Sequence, residues 1–298
     1  MTEASFTTTR NQAAVRRREA RQGARYRVVQ VLLYGFLTVL VLVYSMPGIG
    51  VLITSFKSNA EISREGLWSL PDGLNFDNYR EAWVNGNVST YTLNSFLVTI
   101  PATVLSIGLG ILLGYVFSKL PFWGSEALFI FIVAGMFFPP QIVLVPLFRL
   151  FNTIGLYDTL WPMIIVHVAF GLPICTLVLR NFFSTVPTAL REAAIIDGAN
   201  EGQILLRVML PISLPALAVL ATLQFTWIWN DFLWPLIFTQ SDSRRTIMVG
   251  LVTLKGQYSV AWGVQGAMSV IASVPTLFIF VFFQRYFIRG LTLGAVKG

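Results

Sequence analysis

The chain has 298 residues, of which 55% are hydrophobic and 12% charged, and it carries a formal net charge of +7. A soluble domain of this length carries about a quarter of its residues as Asp, Glu, Lys and Arg. Half that complement does not cover a water-facing surface, so composition excludes an ordinary soluble domain and leaves a chain whose surface largely faces lipid.

Taken in chain order, residues 1–27 form a polar segment with seven arginines (Arg10, Arg16, Arg17, Arg18, Arg21, Arg25 and Arg27). The apolar run that follows is too long for a secretory signal, so it is expected to stay as the first membrane span. Uncharged runs cover 28–56, 82–118, 127–148, 159–179, 208–230 and 256–284. Each exceeds the roughly 20 residues needed to cross about 30 Å of hydrocarbon at about 1.5 Å per residue. The expectation is an all-α membrane protein with six transmembrane helices. It divides into a basic tail at 1–27, a six-helix transmembrane domain at 28–288 and a carboxy-terminal tail at 289–298.

Orientation follows from the basic residues beside the spans. One side collects the seven tail arginines with Lys119, Arg180, Arg191, Arg207, Arg285, Arg289 and Lys297. The other holds Lys57, Arg64, Arg80, Arg149, Arg244, Arg245 and Lys255, half as many. Basic flanks stay cytoplasmic, so both termini are placed inside. The positive charge therefore reads as topology and attraction to anionic lipid rather than as a nucleic-acid surface.

Between spans one and two, residues 57–90 combine turn formers (Pro71, Asp72, Gly73, Asn75, Asn78) with Trp68, Tyr79 and Trp83. The stretch has room for one or two short helices, and its aromatics suit a membrane interface. It is read either as a plain surface connection or as a contact for an external partner. Span two carries Ser106, Gly110, Gly114 and Ser118 at four-residue intervals, a flat face for close helix packing. Prolines recur in or beside the spans (Pro47, Pro101, Pro139, Pro140, Pro146, Pro162, Pro173, Pro215, Pro235, Pro275), which predicts bent helices around a path. Cys175 and His167, each the only residue of its kind, have no partners at ligand or catalytic spacing and read as packed helix side chains.

Residues 181–210 form the largest predicted internal loop and divide into two short helices. Pro187 suits a first turn, Thr188 to Ile196 continues it, and Gly198 stops it. Asn200 with Gln203 three positions later caps a second helix that Pro211 carries toward span five. Ala193 and Ala194 keep the first helix slim, while Glu192 and Asp197 offer acceptors. A helix–glycine–helix of this kind is a shape for docking on another protein.

The spaced run Glu192-Ala193-Ala194, Gly198, Val208 and Leu210-Pro211 resembles the EAA motif of importer-type ABC permeases, with valine where the family has an isoleucine-like residue. Asp197, Ala199 and Pro215 extend the likeness toward the carbohydrate branch. So do Asn94-Ser95, Trp229-Asn230-Asp231 and the closing run from Gly290 to Gly298, all similar to the shorter, MalG-like permease. The resemblance implies that Glu192, Ala193, Ala194, Asp197, Gly198 and Ala199 belong to a cytoplasmic coupling helix between spans four and five, held by an ATPase subunit. It also implies an ATPase contact for the tail residues Val296, Lys297 and Gly298. The partners it implies are a second related permease, two ATP-binding subunits and an extracytoplasmic sugar-binding protein or lipoprotein, in a bacterial or archaeal cytoplasmic membrane. No Gly-Lys pair of a phosphate-binding loop is present, so no cofactor is expected on this chain, and ATP and Mg²⁺ are expected on the partner ATPases.

Asp231 is the one formal charge placed at a span. Counting from Pro211 puts it about 30 Å along, near the outer edge of the hydrocarbon, where hydration is expected. Trp227, Trp229 and Trp234 read either as an interfacial belt or as stacking surfaces for sugar rings. Asn230, Asp231, Trp227, Gln224 and Asn94 are the path candidates. Amides, hydroxyls and aromatics suit a neutral polyol, and the near absence of intramembrane charge argues against an ion path. The competing readings are an ion-coupled carrier, which needs buried titratable groups and paired repeats, and a membrane enzyme, which needs a catalytic constellation that the lone histidine does not supply.

Overall fold

The computed structural model describes residues 3–253 and 261–295, with side chains described over 26–253 and 261–286. The described residues are helical throughout, with no strand among them. Helix α1 (Glu3–Ser55) passes through residue 27 without a break, so the tail boundary is one of composition rather than of backbone. Two short helices, α2 (Asn59–Glu65) and α3 (Asp77–Val84), lie in the stretch read as having room for them. Then come α4 (Val88–Lys119), α5 (Ser125–Ala134) with a 3-10 turn at Gly135–Phe137, α6 (Pro140–Thr153) and α7 (Trp161–Thr185). Helix α8 (Thr188–Ile196) and α9 (Glu201–Ile204) run through a π turn at Leu205–Met209 into α10 (Leu210–Ile212) and α11 (Leu214–Trp229). The chain closes with α12 (Leu233–Phe238), a 3-10 turn at Asp242–Arg244, α13 (Ile247–Thr253) and α14 (Trp262–Ala295).

Four helices, within α1, α4, α7 and α14, are long and apolar enough to cross a membrane. The other two predicted spans are bent pairs, which bring the total to six if each pair is one crossing. The run at 127–148 breaks by 97° between Phe137 and Pro140. Each proline of the Pro139-Pro140 pair disfavours helical dihedrals in the residue before it, so Phe138 and Pro139 are extended and Pro140 opens α6. The run at 208–230 bends by 78° at Ser213. Pro211 and Pro215 withdraw two backbone donors four residues apart, and at the bend Ser213 donates its hydroxyl to the Leu210 carbonyl at 2.8 Å. Span five is therefore shorter than expected: α11 has 16 residues, about 24 Å of helix. By contrast, α1, α4, α6, α7 and α14 each run on through an internal proline, so most of the recurring prolines do not interrupt their helices.

The predicted small-residue face is the main seam of the bundle. A Cβ added at Gly110 would stand 2.5 Å from Cys175 Cβ, and one at Gly114 would stand 2.9 Å from the Arg180 backbone nitrogen. The backbones of α4 and α7 thus approach as closely as glycine permits, and their dispersion contacts replace contacts with lipid. Cys175 is completely buried in this seam, as its packed reading required.

The end of the bundle near α2 and α3 is tied by polar contacts. Asn94 donates its amide to the carbonyls of Ser243 and Arg245, both at 2.9 Å, and Ser95 Oγ accepts from the Ile247 backbone at 2.9 Å. Asn87 and Tyr91 donate to the Asp242 carboxylate at 2.8 and 2.7 Å. Lys57 is fully buried, and its ammonium donates to the carbonyls of Gly66 (2.8 Å) and Ser69 (3.0 Å) and to the Ser69 hydroxyl. Asp158 accepts backbone N–H groups of Gln240 and Ser241 at 2.8 and 2.9 Å. Burial works to raise this carboxyl, but hydrogen bonds from Ser241 and Gln240 and the nearby Arg244 hold it below the usual carboxylate range.

Candidate functional site

Helix α8 has the bounds that its residues predicted. Its neighbour Gly198 has φ +84°, the left-handed conformation that lets the chain turn out of the helix at little steric cost. Asn200 and Gln203 form the reciprocal capping box: Asn200 Oδ1 accepts from the Gln203 backbone at 2.9 Å, and Gln203 Oε1 accepts from the Asn200 backbone at 3.0 Å. Pro187 stands at the N-cap rather than inside the first turn.

The two faces of α8 differ. Ala194 and Ala199 are half-buried and pack on an apolar base of Tyr115, Phe183, Val186, Ile204, Leu205 and Met209. Glu192, Ala193, Asp197 and Gly198 are exposed. So are Leu190, Ile195 and Ile196, the last 85% exposed. Exposed apolar side chains interspersed with two carboxylates, at the end of the bundle, have the composition of a protein-docking surface. The sequence reading singled out the acidic and small residues of this helix and passed over Leu190, Ile195 and Ile196. Their excess over a simple amphipathic pattern was the available signal.

A polar cluster lies beneath the helix. Arg191 reaches inward from α8 and grips the carboxylate of Glu201, with Nε at 3.2 Å from Oε2 and Nη2 on Oε1. The same Oε2 accepts the Tyr115 hydroxyl of α4 at 2.5 Å. Lys119, also on α4, donates to the Val186 carbonyl at 2.6 Å. The Arg191 guanidinium holds the Glu201 carboxyl below its usual range, and that carboxylate in turn raises Arg191. Tyr115, Arg191 and Glu201 did not emerge from the sequence, because Tyr115 and Glu201 are 86 positions apart.

The path candidates do not form one group. Trp227 and Asn230 are exposed, and Asn230 donates its amide to the Thr226 carbonyl at 2.7 Å. Gln224 is buried and reaches the Gly171 carbonyl at 3.3 Å. Asn94 lies apart from them, in the polar ties described above.

Asp231 differs from expectation. Its side chain is only 12% exposed, with Oδ2 at 3.4 Å from Nε2 of His167, whose side chain is 7% exposed. The carboxylate also accepts backbone N–H groups of Leu233 and Trp234, both at 3.2 Å. His167 therefore has an acidic neighbour that spacing along the chain did not reveal. His167 borders a cavity of about 30 Å³ walled also by Phe170, Gly171, Gln224, Trp227 and Trp234. Two of the three tryptophans are core residues. Trp229 donates Nε1 to the Ala272 carbonyl at 2.8 Å, and Trp234 stacks on Phe238 at 5.6 Å. Only Trp227 of the three presents its ring outward. Val296, Lys297 and Gly298, expected to touch a partner, lie outside the described residues.

A polytopic helical bundle with a short, capped helix between two of its spans is an architecture suited to a membrane permease. Consistent with this, the family described as "Binding-protein-dependent transport system inner membrane component" matches residues 106–293, and the chain belongs to that family of multi-pass inner-membrane permeases. It is 31% identical over 263 residues to "Probable ABC transporter permease protein YurM" of Bacillus subtilis, covering 88% of this chain and 87% of the relative. It is 34% identical over 254 residues to "Diacetylchitobiose uptake system permease protein NgcG" of Streptomyces coelicolor, covering 85% and 84%. To "Arabinooligosaccharides transport system permease protein AraQ" of Halalkalibacterium halodurans it is 34% identical over 255 residues, covering 85% and 91%. Among solved structures, a bacterial ABC transporter that imports the acidic polysaccharide alginate superposes with a TM-score of 0.76 at 23% identity, covering 88% of this chain and 97% of the other. That likeness is one of overall fold.

Proposed function

We propose that this chain is the permease subunit of an ATP-driven sugar importer, pairing with a second related permease to enclose the solute path. Two ATP-binding subunits drive it, and an external binding protein delivers the cargo. The observation that carries the proposal is α8. It exposes Glu192, Ala193, Ile195, Ile196 and Asp197 while Ala194 and Ala199 seat it on the bundle. Such a helix has apolar surface to bury in a cleft, and Gly198 supplies the bend behind it. In this reading α8, both termini and the basic residues 1–27 lie in the cytoplasm, and α2 and α3 face the binding protein. ATP and Mg²⁺ belong to the ATPase subunits.

The cargo reading rests on relatives named for diacetylchitobiose and arabino-oligosaccharides and on the chemistry beside α11. Trp227 offers a ring face, Asn230 an amide, and Gln224 and Asp231 stand behind them as buried acceptors, a set suited to neutral hydroxyl-rich solutes. Asn94 belongs to this reading only indirectly, through the loop that it holds.

The buried His167–Asp231 pair is an observation of the kind an ion-coupled carrier would need, so one assay addresses both readings. Proteoliposomes holding the full complex and its binding protein are loaded with or without ATP. Uptake of radiolabelled chito- and arabino-oligosaccharides is then followed with and without an uncoupler. Uptake that requires internal ATP and ignores the uncoupler is expected. Uptake that survives without ATP and collapses with the uncoupler would make this an ion-coupled carrier.

A further inference from the structure

We infer that Tyr115, Arg191 and Glu201 are positioning residues that deliver movement of α8 to α4 through side-chain contacts, rather than through the backbone that joins α8 to its neighbours. The inference rests on the coupling role proposed for α8. Covalent continuity is a poor conductor of motion here. Between α7 and α8 the chain is extended at Val186 and Pro187, with ψ of 127° and 134°. Between α8 and α9 it turns at Gly198. Between α10 and α11 it bends by 78° at Ser213, where Pro211 and Pro215 each lack a backbone donor. Each junction concentrates rotation in a few soft dihedrals, which is how hinges absorb motion.

The side-chain route has no such break. Arg191 forks onto Glu201, so α8 and the first turn of α9 share one carboxylate. Tyr115 donates to that carboxylate at 2.5 Å and meets the Phe183 ring edge to face at 6.1 Å. One turn on, Lys119 holds the Val186 carbonyl at 2.6 Å. Two residues of α4 thus grip both ends of the α8 connection. Hydrogen bonds to charged partners over a buried apolar base are short, directional and stronger than neutral ones.

From there α4 is a rigid rod. Its 32 residues span about 48 Å, and Gly110 and Gly114 lock it to α7 at backbone distance. Its far end holds the 242–247 segment through Asn87, Tyr91, Asn94 and Ser95. Displacing α8 therefore carries α4 and α7 as one body to the opposite end of the molecule, while α11 is left to pivot at Ser213. This assigns a mechanical role to Asn94 and Ser95 as the receiving end of the rod.

The test is a set of label-to-label distances in the assembled complex, with and without a non-hydrolysable ATP analogue. Labels sit at Thr188 on α8, Leu93 at the far end of α4 and Leu223 on α11, all exposed. In the unaltered chain the Thr188–Leu93 distance stays fixed when nucleotide binds, while Leu93–Leu223 changes. In Tyr115→Phe and Glu201→Gln the ATPase subunits still bind, Thr188–Leu93 becomes nucleotide-dependent, and the nucleotide-driven shift in Leu93–Leu223 populations falls about fivefold or more. The charge-swapped pair Arg191→Glu with Glu201→Arg restores part of the shift, a rescue that general destabilisation would not show. Variants that match the unaltered chain in both distances overturn the inference while leaving the coupling reading intact. An unaltered chain that does not bind ATPase subunits overturns the coupling reading and this inference with it. Should Glu201→Gln not fold, Tyr115→Phe, which removes a single hydroxyl, decides alone.

Discussion

Two of the acid–base pairs among the described residues are built in opposite ways. At α8 and α9, Arg191 and Glu201 pair near the surface, with side chains 21% and 39% exposed, beneath a helix that displays isoleucines. Beside α7 and α12, His167 and Asp231 pair inside, at 7% and 12%, and their tryptophan neighbours Trp229 and Trp234 turn inward. Apolar residues face out at the first site and in at the second. The difference teaches where each site meets its partner. In the proposed reading the first offers its surface to another protein. The second organises the interior, and only Trp227 and Asn230 at its rim look outward.

The largest effect should come from reversing the apolar display. Ile196→Asp is expected to weaken binding of the ATPase subunits about tenfold or more, as loss of an interface anchor does, without lowering the melting temperature of the isolated chain. Titration of detergent-solubilised chain with ATPase subunit would check it, and unchanged affinity would remove α8 from the interface.

Asp231→Ala should act on the fold. It removes the acceptor for the Leu233 and Trp234 amides and leaves His167 without its acidic neighbour, a cost of about 1–3 kcal/mol. Thermal unfolding reads this, and Asp231→Asn, which keeps an acceptor oxygen, should recover much of it. If both variants unfold alike, the amide contacts contribute little and the histidine dominates.

The smallest effect is the pH response of the surface pair. The folded carboxyl of Glu201 lies below its usual value of about 4.3. Its stabilisation is therefore fully present above that value and is lost as pH falls through the depressed folded value. Stability of the unaltered chain and of Glu201→Gln should differ at neutral pH and converge in acid, by an amount kept modest by solvent screening of a 39% exposed side chain. A gap that persists in acid would show that the glutamine disturbs packing instead.

Much of the docking end was legible because it is local. The bounds of α8, the stop at Gly198 and the Asn200–Gln203 box depend on dihedrals and hydrogen bonds within four residues, which residue types dictate directly. The Gly110–Gly114 face was legible for a related reason. A four-residue interval of glycines has one strong structural use in a lipid-facing helix, whatever its neighbour turns out to be. The interior site differs from the sequence expectation in three respects. Counting residues from Pro211 assumed a straight helix, yet the chain bends by 78° at Ser213. Depth near the outer edge implies hydration, yet His167 and the Leu233 and Trp234 amides cover Asp231. Aromatic clustering was taken to imply a belt or a stacking surface, yet Trp229 and Trp234 fill the core.

The sequence by itself determined that the chain crosses a membrane, where its apolar runs lie, and that one segment between two of them is a capped helix–glycine–helix. These follow from hydrocarbon thickness and from backbone bonding over a few residues, neither of which needs a neighbour to be known. Only the tertiary structure decided which charges meet. Tyr115 with Glu201 and His167 with Asp231 are joined across 86 and 64 positions, because packing of α4 and α7 and the bend at Ser213 bring separate helices together. Low dielectric then makes each buried polar group seek whatever partner that packing supplies, and no local pattern encodes which one it will be.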